Sequence, residues 1–158
     1  MSSFDKAILV IGYGSTLRGD DAVGRRVVEI IADRSLPNVT AISVTQLVPE
    51  LAAQIATAQA VIFVDASGES ELRGVDIREI VKARGVLCAP HVSSPRELLS
   101  LASVCYKRTP PAWLIAVPSI RFEMTDKMSS AVRQNICSAV GAVEQLINEL
   151  TGSEVPYA

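Results

Sequence analysis

The sequence predicts an α/β fold, a three-layer sandwich in which a twisted, mostly parallel sheet lies between helices on both faces. Short apolar segments of strand length alternate with longer segments whose apolar residues recur at helical spacing. The short segments are apolar throughout, as expected for parallel strands that are covered on both faces. Because right-handed helical crossovers join strands of this kind, the first three strands should be parallel.

The first half of the chain contains three of these strands and two helices. Apolar residues at helical spacing predict the first helix, and a proline at the first helical position predicts the start of the second. The predicted elements are a strand over 7–13, a helix over 21–34, a strand over 39–44, a helix over 49–57 and a strand over 60–64.

The second half begins with a polar loop over 67–74 and a segment over 75–81 that alternates like an edge strand. Ser94, Pro95 and Glu97 form a capping-box start for a further helix. A buried strand is predicted over 113–117, and a long final helix over 126–150 ends at Gly152.

Composition limits the class of protein. The 158 residues are 49% hydrophobic and 20% charged, which indicates one globular domain over 1–158. The net charge of −2 argues against a nucleic-acid surface, and no apolar run has the ~18 residues that a membrane span needs. We see no signal peptide. The three widely spaced cysteines favour a cytoplasmic protein with reduced thiols, in which Cys105 and Cys137 are buried on helix faces.

The most informative segment is 8–24, which predicts a strand, a glycine-hinged loop and an acidic helix start. A dinucleotide-binding loop would have a third glycine where Leu17 stands. A helix start that holds a pyrophosphate should not carry Asp20 and Asp21. The segment therefore suits a cation better than a nucleotide, and failure to bind NAD or ATP would exclude a nucleotide-binding domain.

Asp65 follows the third apolar strand directly, and if the first and third strands are neighbours it should lie at the same sheet edge as Asp21. A carboxylate there is costly to bury unless it is paired or bound to a cation, although Asp65 could instead cap a turn. His91 is the only histidine, and a lone loop histidine is more often solvated than a ligand. Taken with Asp21 and Asp65, however, it completes a set of ligands suited to nickel, zinc or manganese. Cys88, three residues before His91, is a weaker nucleophile alternative.

At these residues the chain resembles the hydrogenase maturation endopeptidases, which clip a C-terminal extension from the large subunit of nickel-iron hydrogenases. The opening motif stands here as Gly12-Tyr13-Gly14-Ser15 followed by Gly19-Asp20-Asp21-Ala22-Val23-Gly24. The second element is a buried strand that ends in Asp65, and the third is His91 before the Ser94 helix. The resemblance extends over nearly the whole chain and implies the same sandwich fold.

The resemblance implies that Asp21, Asp65 and His91 bind nickel and serve peptide-bond hydrolysis, with Asp20 as the helix cap. The precursor of the hydrogenase large subunit would be the partner and would present the nickel, for which zinc or another divalent ion could substitute. We expect a monomer. A metal-dependent binding or chaperone module that cuts nothing is the main alternative, and a domain whose acids only cap turns is the simplest one.

Two residues depart from the motif. Ser15 replaces the usual asparagine, and Ala22 replaces a frequent glycine. Neither is a ligand, so the metal site should survive. Serine has fewer hydrogen-bond donors than asparagine, so Ser15 is expected to change the loop's hydrogen bonding and its fit to substrate.

Overall fold

The computed structural model describes residues 7–69, 73–84 and 92–152. Five strands form one sheet in the order β2-β1-β3-β5-β4. The strands are β1 (Ile8–Tyr13), β2 (Val39–Val44), β3 (Ala60–Ser67), β4 (Asp76–Ile80) and β5 (Ala112–Pro118). The first four in the sheet order are parallel, and β4 pairs antiparallel with β5 at one edge. The predicted parallel sheet with an added edge strand is confirmed.

Within the described residues, four helices cover the sheet. They are α1 (Val23–Asp33), α2 (Leu51–Thr57), α3 (Pro95–Tyr106) and α4 (Ser130–Thr151), and a short 3-10 helix spans Gly19–Ala22. One core cluster joins α1 and α4 to the sheet, and a second joins α2 and α3 to it. Alternate residues of β1 enter the two clusters: Val10 the first, Leu9 and Ile11 the second. This is the predicted three-layer sandwich.

The strands are apolar throughout because both faces are covered. In β3, Val61, Ile62, Phe63 and Val64 have no exposed surface. Burial of each such side chain contributes roughly 1.5–3 kcal/mol. The chain from residue 60 to residue 64 is therefore held firmly, and the residue after it, Asp65, has a fixed backbone position.

Several predicted boundaries need correction. The final helix begins at Ser130 and not at 126, because the Ser129 side chain caps it by accepting from the Val132 N–H. The first helix is preceded by the 3-10 turn, and β3 continues through Ser67, which pairs with Pro118. The Ser94 cap is confirmed, since its side chain accepts from the Glu97 N–H.

The cysteine prediction was wrong. Cys105 and Cys137 are both exposed, because each lies on the solvent side of its helix. No helix within the described ranges has both the length and the apolar character that crossing a bilayer demands.

Candidate functional site

The sheet topology brings Asp21 and Asp65 to one edge. Strands β1 and β3 are neighbours, with Gly12 opposite Val64, so Asp65 lies beside the end of β1. The chain leaves β1, turns through the 3-10 helix and places Asp21 over that end. Asp65 experiences the negative charge of Asp21, which is one cause of its altered pKa. The predicted juxtaposition of the two carboxylates is thus present in the structure.

The loop between β1 and the 3-10 turn is fastened by Asp21. Its Oδ2 accepts from the backbone N–H of Ser15 at 2.7 Å. Gly14 has a φ of +143°, and a Cβ at this position would lie 1.8 Å from the Asp21 carbonyl oxygen. Only glycine fits here. The motif departure at Ser15 leaves the Asp21 contact intact because that contact uses the backbone, while the Ser15 hydroxyl accepts from the Leu17 N–H at 3.2 Å.

The start of α1 lies directly against the sheet at Gly24. A Cβ on Gly24 would stand 2.3 Å from the Val64 carbonyl oxygen. No side chain can be accommodated at that distance without moving one of the two backbones. This close approach, rather than a phosphate, accounts for the glycine at this position, and it holds the helix start near Asp65.

Tyr13 completes the carboxylate pair. This last residue of β1 donates its hydroxyl to Asp65 Oδ2 at 3.0 Å. Burial, followed by the Asp65 charge, raises the pKa of the Tyr13 hydroxyl well above its ordinary value. The hydroxyl therefore stays protonated and remains a donor at neutral pH. Sequence reasoning missed this residue, although its position at the end of the strand beside Asp65 was a usable signal.

The environment of Asp65 is unfavourable for an isolated negative charge. The pKa of Asp65 is raised from 3.8 to about 6: burial is the largest cause and the charge of Asp21 adds to it, while hydrogen bonds from Tyr13 and the Ala66 backbone oppose the rise. A divalent cation between the two carboxylates would offset both unfavourable effects. The chemistry of this donor pair thus fits a hard or borderline divalent ion.

Asp20 does not cap its own helix, so that prediction was wrong. Neither the 3-10 turn nor α1 has a side-chain cap. Asp20 is fully buried, and its carboxylate accepts from the backbone N–H groups of Ile120, Arg121 and Ser129 and from the Ser129 hydroxyl. Burial alone would raise the Asp20 pKa, but these hydrogen bonds outweigh it and lower the pKa below its ordinary value. Asp20 ties the loop after β5 and the start of α4 to the 3-10 turn.

The third predicted ligand, His91, lies outside the described residues, as does Cys88. Among the residues the structure describes, no group of three His, Cys, Asp or Glu side chains is placed to hold a metal ion. The structure therefore brings Asp21 and Asp65 together, and the role of His91 stays a prediction. The alternative that Asp65 only caps a turn is disfavoured, since its side chain accepts a hydrogen bond from Tyr13 on a neighbouring strand.

No protein-family model and no curated protein matches this chain, but solved structures do. The hydrogenase maturating endopeptidase HybD from E. coli is 24% identical, with 90% of this chain and 93% of that chain covered and a TM-score of 0.67. The hydrogenase maturation protease HycI from Thermococcus kodakarensis is 22% identical, with 94% of each chain covered and a TM-score of 0.69. A hydrogenase 2 maturation peptidase from a Thaumarchaeota archaeon is 24% identical, with 94% of this chain and 100% of that chain covered and a TM-score of 0.65.

These similarities define the class of fold. The chain has the fold of solved hydrogenase maturation endopeptidases, and the shared structure covers nearly the full length of each protein. The fold that the sequence motifs implied is thereby confirmed.

Proposed function

We propose that this protein is an endopeptidase that removes a C-terminal extension from the large-subunit precursor of a nickel-iron hydrogenase. The observation that carries the proposal is the Asp21–Asp65 pair at the carboxyl edge of the sheet. Its support comes from the fold, which is shared with proteins named hydrogenase maturation endopeptidases. Ligand sites in α/β sheets lie at this edge.

Nickel would enter this site as part of the substrate. Asp21, Asp65 and His91 would engage a nickel ion that the precursor already holds, and zinc or another divalent ion could substitute. The raised pKa of Asp65 supports this role, because the ion would stabilise a carboxylate that burial disfavours. The nickel, when present, would supply an anchor for the precursor and a Lewis acid for carbonyl polarisation.

The chain's own groups hold these carboxylates in place. The Ser15 N–H fixes one oxygen of Asp21, and the Tyr13 hydroxyl fixes one oxygen of Asp65. A carboxylate has about four acceptor sites, so each of the two keeps lone pairs for an incoming ligand. Because both carboxylates are oriented before the precursor arrives, little ordering cost falls on the binding step. A metal-free precursor would lack the anchor, so cleavage would report that nickel has been inserted.

We propose that the active form of the protein is a cytoplasmic monomer. The absence of a paired set of cysteines in the sequence supports a reducing compartment. The proposed activity is of the aspartyl type in the sense that two aspartates serve the reaction centre.

Intact-mass analysis of the host's nickel-loaded large-subunit precursor tests the proposal. The wild-type protein should release one defined C-terminal peptide. Asp21→Asn and Asp65→Asn should each slow the release by roughly a hundredfold or more, since each removes a charged group from the reaction centre. Asp126→Asn, at an exposed acid of the loop before α4, is the matched control and should cleave normally.

The outcomes separate the alternatives. Normal cleavage by Asp65→Asn would refute the proposed site. Binding of the precursor without any change in its mass would instead assign the protein as a metal-dependent binding module. Circular dichroism of each variant should match the wild type, so that a lost activity is not confused with a lost fold.

A further inference from the structure

Four large apolar side chains form an exposed patch beside the candidate site. We define the edge patch as Leu17, Ile120, Phe122 and Met124, whose exposed fractions are 60%, 75%, 39% and 73%. Single exposed apolar residues are common, but a cluster of them rimmed by polar residues marks an interaction surface.

Hydrogen bonds hold the two segments of the edge patch together. The Thr125 N–H donates to the Leu17 carbonyl at 2.9 Å, and the Gly19 N–H donates to the Thr125 carbonyl at 2.8 Å. The buried Asp20 carboxylate accepts from the Ile120 and Arg121 N–H groups, both at 2.9 Å. The backbone that carries the patch is thus fastened to the same turn that carries Asp21. These hydrogen bonds fix the loop in the conformation that exposes the four side chains.

The edge patch adjoins chain segments of the candidate site on both sides. Leu17 lies in the loop between Ser15 and Asp21. On the other side, Phe122 packs over Gly68, where a Cβ would lie 3.4 Å from the ring. Gly68 is three residues beyond Asp65. A polypeptide bound at the two carboxylates would therefore lie close to segments that carry or contact the patch.

We propose that the edge patch docks an apolar stretch of the precursor polypeptide close to the scissile bond. This inference rests on the proposed function. The rim carries both charge signs, including an Arg121–Glu123 pair at 3.4 Å, and such a mixed rim suits a protein partner better than an anionic membrane or a nucleic acid. The backbone of the patch is fastened to the turn that carries Asp21, which favours the substrate over an unrelated partner.

The paired substitution Ile120→Ser and Met124→Ser removes the two most exposed members. The bonds between this loop and the 3-10 turn are unaffected, because the Asp20 carboxylate accepts from the backbone N–H groups of Ile120 and Arg121 and not from the substituted side chains. Met124→Lys is a second, single variant. The matched control is Val81→Ser with Val104→Ser, whose exposed fractions of 64% and 52% are similar; Val81 directly follows β4 and Val104 lies in α3, outside the two segments of the edge patch.

Two measurements are made on each protein. Biolayer interferometry with metal-free precursor reports docking alone, because the proposed function leaves that precursor uncut. Initial rates with nickel-loaded precursor report cleavage. Both edge-patch variants should weaken docking roughly tenfold, and kcat/KM should fall by a similar factor, mostly through KM. The control should stay within about twofold of wild type in both measurements.

The results distinguish failure of this inference from failure of the proposed function. If the edge-patch variants match the wild type in docking affinity and in kcat/KM, the docking surface is refuted. Cleavage of the precursor by the wild type would still support the proposed function in that case. Weakened docking without cleavage by any protein would support the surface and refute the function. If the wild type does not bind the precursor, the docking surface is refuted. It is also refuted if sedimentation velocity shows that the wild type is a dimer and the edge-patch variants are monomers, because the patch would then be a contact between two copies of this chain.

Discussion

Replacing Asp20 by asparagine should destabilise the protein by about 3 kcal/mol. Oδ2 accepts from the N–H groups of Ile120 and Arg121 and from the Ser129 hydroxyl, and Oδ1 accepts from the Ser129 N–H at 2.6 Å. An asparagine oxygen can replace Oδ2, but its three bonds lose their charge assistance at roughly 0.5–1 kcal/mol each. The new NH₂ group would face the Ser129 N–H, leaving a buried donor unpaired at a cost of about 1–3 kcal/mol. Relief of the buried charge offsets part of this sum.

Urea unfolding followed by circular dichroism measures this loss. The midpoint should fall at unchanged m-value, and Tm should drop by roughly 10 °C for a chain of this size. Asp126→Asn, an exposed acid in the same loop, should change the free energy of unfolding by less than about 0.5 kcal/mol. A loss below about 1 kcal/mol for Asp20→Asn would refute the reasoning that this carboxylate fastens the loop.

The pH dependence gives a second check on Asp20. Its pKa is lowered from 3.8 in the folded protein, so the unfolded state takes up its proton first as pH falls. The stability that Asp20 contributes is therefore complete above its ordinary pKa and is lost as pH falls through the folded value. The difference between wild type and Asp20→Asn should stay constant from about pH 8 to about pH 5 and narrow only below about pH 4.

Three further predictions follow from the site. Nickel affinity, measured by calorimetry, should fall roughly tenfold per unit below about pH 6, because Asp65 must lose its proton to bind the ion. Tyr13→Phe should move this fall to higher pH, since it removes a hydrogen bond that lowers the Asp65 pKa; an unmoved profile would contradict the contact. Gly24→Ala should lower the free energy of unfolding by about 3 kcal/mol or more, because its Cβ would meet the Val64 carbonyl. Gly141→Ala, in open space on α4, should instead raise the free energy of unfolding by about 0.5–1 kcal/mol, and urea unfolding measures both changes.

The sequence predicted the sheet from local patterns, and it predicted the carboxylate pair on the condition that the first and third strands are neighbours. Continuous apolar segments identify buried strands, and the handedness of the crossovers makes them parallel. Once β1 and β3 are neighbours, Asp21 and Asp65 must meet at one edge. No long-range side-chain contact had to be known in advance.

Two of the missed features depend on partners that are distant in sequence. The Asp20 carboxylate accepts hydrogen bonds from residues about 100 positions later in the chain. The local sequence pattern does not show these partners and predicted instead that Asp20 caps the nearest helix. The predicted start of α4 was wrong for a related reason: the Ser129 cap is bound by the distant Asp20 carboxylate, and the helix begins only at Ser130. Cys105 was placed inward from helical spacing alone, which does not say how wide the buried stripe is.

The most direct test of the proposed function compares two forms of one precursor. The host's large-subunit precursor, nickel-loaded or metal-free, is mixed with the wild-type protein and its intact mass is followed. We expect one defined C-terminal peptide to be released from the loaded form only. Equal cleavage of both forms would contradict recognition through nickel, and an unchanged mass of the loaded precursor would contradict the proposed endopeptidase.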